Sequence, residues 1–120
     1  MRLVLRNFRA FSNNNFYQIA NFNEELVELQ KSVKRFADER VAPLAAKTDK
    51  EDKFPHHLWR EFGEMGLLGV TTSPEYGGSG LNYTAHSLIM EEISRASGAI
   101  GLSYGAHTAL CLAQVTRHGN

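Results

Sequence analysis

The stretch between Arg95 and Arg117 contains no charged residue, and it limits the possible folds more than any other feature of the sequence. Its length is that of a membrane-spanning helix. Too many of its residues are polar or glycine, however: Ser97, Gly98, Gly101, Ser103, Gly105, His107, Thr108, Gln114 and Thr116. A helix that is small or apolar on all sides belongs inside a larger protein. We therefore expect no transmembrane segment, and we expect this helix to need neighbours on several sides.

The residues before this stretch begin with the periodicity of an amphipathic helix. Asn23 can cap a helix whose first turn holds Glu24 and Glu25, where the helix dipole favours acids. Apolar residues then recur at steps of three and four: Leu26, Leu29, Val33, Phe36, Val41 and Leu44. Pro43 is expected to kink or end this first helix. The alternating charges of residues 47–53 indicate either a surface link after it or, as we prefer, a solvated face.

A second helix is predicted between a proline and a glycine. Pro55 suits its first turn, and Gly66 ends it. One side of this helix is apolar: Leu58, Trp59, Phe62 and Met65. The apolar run at residues 67–70 is short, and we expect it to enter the core without pairing as a strand.

Asn82 is a good cap for a third helix that runs to about Ala96. Its buried stripe is predicted to contain Ala85, Leu88, Ile89, Ile93 and Ala96. Glu91 and Arg95 stand four residues apart, which predicts a surface ion pair. With the uncharged stretch as a fourth helix, the sequence predicts an all-α fold of about four helices.

The first residues differ from the rest in their charge. Residues 1–23 contain three arginines and no acid, while the whole chain has 13 basic and 13 acidic residues. Arginine-rich, acid-free, amphipathic beginnings are typical of organelle presequences. We interpret residues 1–11 as a mitochondrial presequence, cut between Phe11 and Ser12, and residues 12–23 as a leader. The neutral balance gives no basic surface for a nucleic acid.

The glycine-rich stretch SPEYGGSGLN, residues 73–82, asks whether this chain binds a phosphate. A phosphate loop of the P-loop type needs a preceding strand and a lysine after the glycines, and a dinucleotide fingerprint needs a third glycine at a fixed spacing. Here Pro74 interrupts any strand, Leu81 and Asn82 follow Gly80, and the third glycine is missing. We therefore interpret the stretch as a tight turn between the second and third helices.

The remaining reactive side chains form no catalytic group in the sequence. Glu91 and Glu92 are consecutive, so about 100° of helix rotation separates them and they cannot act on one atom. His56 and His57 are adjacent and point to different faces of a helix, and His86 and His107 lack acidic or cysteine partners at ligand spacing, which predicts packed or surface histidines rather than a metal site. Cys111 is the only cysteine, and its apolar surroundings predict an inert core thiol. We assign no catalytic, metal-binding or cofactor-binding residue.

Two longer strings carry a resemblance to a known family. REFGEMGLLGVTTSPEYGGSGLNY and MEEISRASGAIGLSYGAH resemble the N-terminal domain of the acyl-CoA dehydrogenases. The resemblance covers residues 24–120 and is strongest from residue 58 onward. PEYGGSG is typical of the whole family, whereas SRASGAIGLSYGAH is similar to its branched-chain members.

The resemblance implies a subunit with three parts: a helical N-terminal domain, a β domain and a C-terminal helical bundle. It implies an FAD enzyme that oxidises a short branched acyl-CoA, such as isovaleryl-CoA from leucine breakdown, in the mitochondrial matrix. A glutamate would remove the α proton, and the β hydrogen would leave as hydride to the flavin. Electron-transferring flavoprotein would accept the electrons, and the full-length subunit would form a homotetramer.

The chain departs from that pattern because it stops at Asn120, before any β-rich region. We therefore expect residues 24–120 to be an incomplete N-terminal helical domain, with the β domain and the C-terminal bundle absent, and the 120-residue chain alone to be inactive. Two alternatives stay open. One is a different short-chain or branched-chain acyl-CoA dehydrogenase, and the other is a non-catalytic helical module that binds a partner.

The resemblance also implies that the segment GLSYGAHTAL supplies one wall of the acyl pocket. In an α-helix, residues three and four apart share a face. The predicted substrate-binding residues are therefore Leu102, Gly105, Ala106 and Ala109. Small residues would leave room for a branched chain, while Leu102 would limit its length. The alternative is that the small residues allow close packing of helices in the core.

Overall fold

The computed structural model describes residues 22–119. The predicted presequence and residues 12–21 of the predicted leader lie outside the described residues. The helical elements are α1 (Glu24–Phe36), a π-helical turn (Ala37–Val41), a 3-10 turn (Ala42–Leu44), α2 (Ala45–Glu51), α3 (His57–Glu64), a 3-10 turn (Pro74–Tyr76), α4 (Tyr83–Ala96), α5 (Gly98–Gly105), a π-helical segment (Ala106–Leu112) and α6 (Ala113–His118). Because α1 continues into α2 and α5 into α6 without a break, four long helical pieces result. The part of the chain that the structure describes has no strand, and the all-α prediction is confirmed.

Three of these helices begin at a polar residue whose side chain accepts a hydrogen bond from a backbone N–H of the first turn. Asn23 Oδ1 accepts the Leu26 amide at 3.0 Å, and Asn82 Oδ1 accepts the Ala85 amide at 3.0 Å. Ser97 extends the same chemistry to α5, where its side chain caps the first turn. Each such cap stabilises a helix by about 1 kcal/mol. The two asparagine caps lie where the sequence predicts them.

Of the two interpretations of residues 47–53, the solvated face describes the residues through Glu51, which are helical, and the link is shorter than the sequence alone indicates. Pro43 lies in the 3-10 turn, and the helix resumes as α2 through Glu51. Pro43 stands where the π-helical turn gives way to the 3-10 turn, so the type of helix changes at the proline but the helical piece does not end there. Alternating charges suit the solvated side of a helix, while Thr48 is buried on the other side. The helix ends at Asp52, whose φ of 50° is left-handed.

An aromatic group joins α1, α3 and α5 in the core. The ring of Phe62 lies 5.8 Å from that of Phe36 and 5.3 Å from that of Tyr104, in tilted and edge-to-face arrangements. Such pairs contribute about 0.5–1.5 kcal/mol beyond the burial of their surface. Leu67 and Val70 are buried beside this group without pairing as a strand. The short apolar run therefore enters the core as the sequence predicts.

A buried carboxylate fastens α1 to α4. Glu92 is 3% exposed, and its two oxygens accept hydrogen bonds from Gln30 Nε2 at 2.6 Å and from Arg95 Nε at 2.8 Å. Arg95 also donates to Asp38 Oδ1 at 2.6 Å, and this hydrogen bond lowers the pKa of Asp38 below its usual value. The surface pair predicted between Glu91 and Arg95 is therefore wrong. Helix rotation points Glu92 at α1 and leaves Glu91 in solvent.

Candidate functional site

The last helical piece presents an unpaired apolar face to solvent. Leu102 is 75% exposed, Leu110 is 70% exposed and Val115 is 60% exposed, and Ala106 is exposed between the first two. We call these four residues the apolar face. Large apolar side chains in such a row mark a surface that another part of a protein or a ligand covers.

The π-helical segment sets which residues form this face. Its amide pattern is wider than that of an α-helix, since the Ala113 N–H donates to the Thr108 carbonyl five residues earlier. The hydroxyl of Thr108 itself is buried and donates to the Tyr104 carbonyl at 2.9 Å. A regular α-helix would place Leu110 about 80° around the axis from Leu102, and the wider turn brings it closer to the line of Leu102 and Ala106. Segments of this kind occur often at functional sites.

The four predicted substrate-binding residues differ in their exposure to solvent. Leu102 and Ala106 lie on the apolar face, whereas Gly105 and Ala109 are half-buried. Gly105 points at α4, and a Cβ atom there would stand 2.8 Å from Met90 Cε. That position allows α4 and α5 to approach closely, which is the packing role considered as the alternative for the small residues. Leu110 is not among the predicted residues, since α-helical spacing places Ala109 closer than Leu110 to the line of Leu102, and no local signal marks the π-helical register.

The inner side of the same helix packs on aromatic rings. His107 lies 5.0 Å from Trp59 between ring centroids, and His86 of α4 stacks on Tyr104 at 6.1 Å. Burial lowers the pKa of His86, and burial raises the pKa of Tyr104, whose hydroxyl donates to the Leu67 carbonyl at 2.7 Å. His86 and Tyr104 therefore pack against each other in their neutral forms.

Cys111 does not lie in the core, and this corrects the prediction of a core thiol. The π-helical register turns it outward, where it is exposed. Among residues 22–119, no group of three or more histidine, cysteine, aspartate or glutamate side chains is placed to hold a metal ion. Within the same residues, no helix has both the length and the apolar character that crossing a membrane requires.

The glycine-rich turn uses its backbone amides internally. The amides of Gly78, Ser79, Gly80 and Leu81 donate to the carbonyls of residues 73, 69, 72 and 70 at 2.8–3.1 Å. Gly77 and Gly80 take positive φ angles of 79° and 64°, which favour glycine. A phosphate cradle instead points unpaired amides at its ligand. This turn therefore has the form of a folded link rather than of an anion site.

Comparisons with known proteins extend these observations. Residues 23–120 match the family described as "Acyl-CoA dehydrogenase, N-terminal domain". The chain is 48% identical over 104 residues to mitochondrial isovaleryl-CoA dehydrogenase of Pongo abelii, covering 85% of this chain and 25% of that protein. It is 50% identical over 100 residues to the protein of the same name from Solanum tuberosum, covering 82% of this chain and 24% of that protein.

A more distant relative is the short-chain specific acyl-CoA dehydrogenase of Clostridium acetobutylicum, at 33% identity over 99 residues, which cover 82% of this chain and 26% of that protein. The chain thus spans about a quarter of the length of the curated relatives it matches. The helical fold agrees with the helical character expected of the matched domain. The chain belongs to the acyl-CoA dehydrogenase family, and residues 23–120 match its N-terminal domain.

Proposed function

We propose that this chain is the N-terminal helical domain of an FAD-dependent dehydrogenase that oxidises a short branched acyl-CoA. The proposed substrate is isovaleryl-CoA of leucine breakdown, and the product is its 2,3-enoyl-CoA. The names of the relatives support this substrate and a mitochondrial location, within which we propose the matrix. The observation on the chain itself that carries the proposal is the apolar face of the last helix.

The apolar face suits one wall of an acyl pocket. An acyl chain is apolar and uncharged, and the uncharged helix offers it side chains of two sizes. Ala106 leaves room beside a branch, whereas Leu102 projects farther and limits the length of the chain. We propose that these two residues contact the acyl chain. Gly105 lies behind them and sets the distance between this wall and α4, and Ala109 is half-buried beside it.

The described residues fit a wall of the site better than a flavin cradle. FAD carries a pyrophosphate, which unpaired backbone amides and helix N-termini commonly bind. In the glycine-rich turn those amides are already bonded to backbone carbonyls. We therefore propose that the flavin contacts lie outside residues 22–119, and the family resemblance implies the same for the catalytic glutamate. Electron-transferring flavoprotein as the electron acceptor and a homotetrameric assembly belong to the same proposal.

The test is a substrate series on the complete dehydrogenase. Dye reduction is measured with isovaleryl-CoA, butyryl-CoA and octanoyl-CoA for the unchanged enzyme and for Leu102→Ala. One methylene in an apolar pocket is worth about 1–3 kcal/mol, so we expect kcat/KM for octanoyl-CoA to rise about tenfold relative to isovaleryl-CoA. Leu81→Ala, which shortens an exposed leucine in the turn before α4, is the matched control. An unchanged preference in Leu102→Ala would remove this residue from the pocket.

A second candidate is a dehydrogenase for another branched substrate. The 2-methylacyl-CoA dehydrogenase of Solanum tuberosum is 38% identical over 124 residues, covering 97% of this chain and 29% of that protein. Adding 2-methylbutyryl-CoA to the series separates the two, because the better substrate has the higher kcat/KM.

The exposed apolar face also favours a third candidate, a non-catalytic module that binds a partner. The purified chain distinguishes this candidate from the enzyme domain. Yellow colour and acyl-CoA-dependent dye reduction would contradict our placement of the flavin and the base elsewhere. A colourless, monomeric chain that captures a defined partner would favour the module.

A further inference from the structure

Residues 67–83 form hydrogen bonds to the helical piece made by α5, the π-helical segment and α6. These hydrogen bonds lie both before and after the π-helical segment. Before the π-helical segment, the buried Tyr104 hydroxyl donates to the Leu67 carbonyl at 2.7 Å. After it, the hydroxyls of Thr72 and Thr116 lie 3.2 Å apart, and Arg117 Nη2 donates to the Tyr83 hydroxyl at 2.8 Å. Both ends of the π-helical segment are thus hydrogen-bonded to one contiguous part of the chain, residues 67–83.

The register between these fastenings differs from that of an α-helix. In an α-helix, Ala109 would return to the face of Leu102 after seven residues, and Cys111, two and a half turns on, would point to the opposite side. In the structure Ala109 is half-buried, while Leu110 and Cys111 are exposed. Everything after the π-helical segment is therefore rotated relative to an uninterrupted α-helix.

We propose that Thr116 and Arg117 are positioning residues that hold the π-helical register and thereby keep Leu110 in the apolar face. An α-helix is the commoner and more favourable arrangement of such a backbone, so the wider turn persists only where its surroundings hold it. Losing one residue of register would rotate α6 by about 100° and turn Thr116 away from Thr72. The hydrogen bonds of Thr116 and Arg117 therefore cannot form when the helix is in the α-helical register.

For the acyl pocket, this inference rests on the proposed function. The hydrogen bonds of Thr116 and Arg117 would then determine whether Leu110 or Ala109 follows Ala106 along the wall of the pocket. The register itself does not depend on that function, and Cys111 reports it. In the π-helical register its thiol is exposed, and in the α-helical register it would face the packed side.

The experiment combines Thr116→Val with Tyr83→Phe in the intact protein and measures maleimide labelling of Cys111 by peptide mass mapping. Both changes remove a hydroxyl while nearly preserving shape. We expect labelling to slow, because each lost hydrogen bond shifts the equilibrium between the two registers about fivefold toward the α-helical one, and labelling follows the fraction of protein that stays in the π-helical register. Thr72→Val should slow labelling as Thr116→Val does, and the two changes together should add little, because they break the same contact.

The matched control is Ser103→Ala, whose hydroxyl bonds to the Ala99 carbonyl inside the same helix. We expect its labelling to match that of the unchanged protein. Simple fraying of α6 would leave Cys111 equally or more reactive, so labelling that is unchanged or faster in the double variant overturns the proposal. An altered labelling rate with an unaltered acyl preference in the dehydrogenase would retain the register and refute only its link to the pocket.

Discussion

Replacing Glu92 with alanine tests the contact that holds α1 against α4. The carboxylate is 3% exposed and accepts hydrogen bonds from Gln30 Nε2 and Arg95 Nε at 2.6 and 2.8 Å. A hydrogen bond to a charged group contributes about 1.5–3 kcal/mol. The share of Arg95 is smaller, because its side chain is 42% exposed and keeps its bond to Asp38.

Together with the small cavity left by the shortened side chain, these losses amount to about 3 kcal/mol of unfolding free energy. For a domain of this size, that corresponds to a fall in Tm of about 12 °C or more. The assay is urea unfolding followed by circular dichroism, with the slope of the transition compared between variants. An unchanged slope would show that the native packing, rather than the compactness of the unfolded chain, was altered.

Glu91→Ala is the matched control, since it removes the same carboxylate one position earlier, where the side chain lies in solvent. We expect its unfolding free energy to change by no more than about 0.5 kcal/mol. If Glu92→Ala loses less than about 1 kcal/mol, or if both variants lose the same amount, the buried carboxylate does not hold these helices together and our reasoning fails.

Two further predictions concern stability. The lowered pKa of His86 means that the unfolded chain binds more protons than the folded chain below about pH 6.5, so stability should fall as the pH drops through that value. His86→Phe keeps a ring against Tyr104 and should flatten this dependence in urea unfolding between pH 5 and 7; an unchanged slope would contradict it. In the turn, a Cβ on Gly78 would overlap the Thr72 carbonyl, so Gly78→Ala should cost about 3 kcal/mol through displaced backbone. Gly98→Ala, with no atom within 4 Å of its Cβ, should be neutral or stabilising, and equal effects of the two would refute the steric argument.

Much of the fold follows from signals that act within a few residues. A capping asparagine needs only the amide three positions later, and both Asn23 and Asn82 begin helices as the sequence predicts. The end of α3 is equally local, because Gly66 takes a φ of 70° that other residues rarely adopt. These predictions agree with the structure because each depends on the backbone within a few residues and needs no contact with a distant part of the chain.

The misses come from contacts between distant residues. Spacing within α4 predicts a pair between Glu91 and Arg95. In the structure α4 packs on α1, and Gln30, 62 positions away, donates a hydrogen bond to Glu92 instead. Charge alternation alone cannot tell a solvated helix from a link, and burial of Thr48 favours the helix. The predicted site assumed regular α-helical spacing. The residues that fasten the π-helical segment, such as Thr72 and Thr116, are 44 positions apart and give no local sign of it.

The distance between Gln30 and Glu92 has a consequence for synthesis of the chain. Ribosomes add about 5–20 residues per second, so α1 emerges about 3–12 s before the carboxylate that joins it to α4. During that interval the apolar side of α1 lacks its native cover, and such transiently exposed surfaces attract aggregation or chaperones. Nascent chains of this domain therefore have a defined vulnerable period, which ends only once α4 has left the exit tunnel.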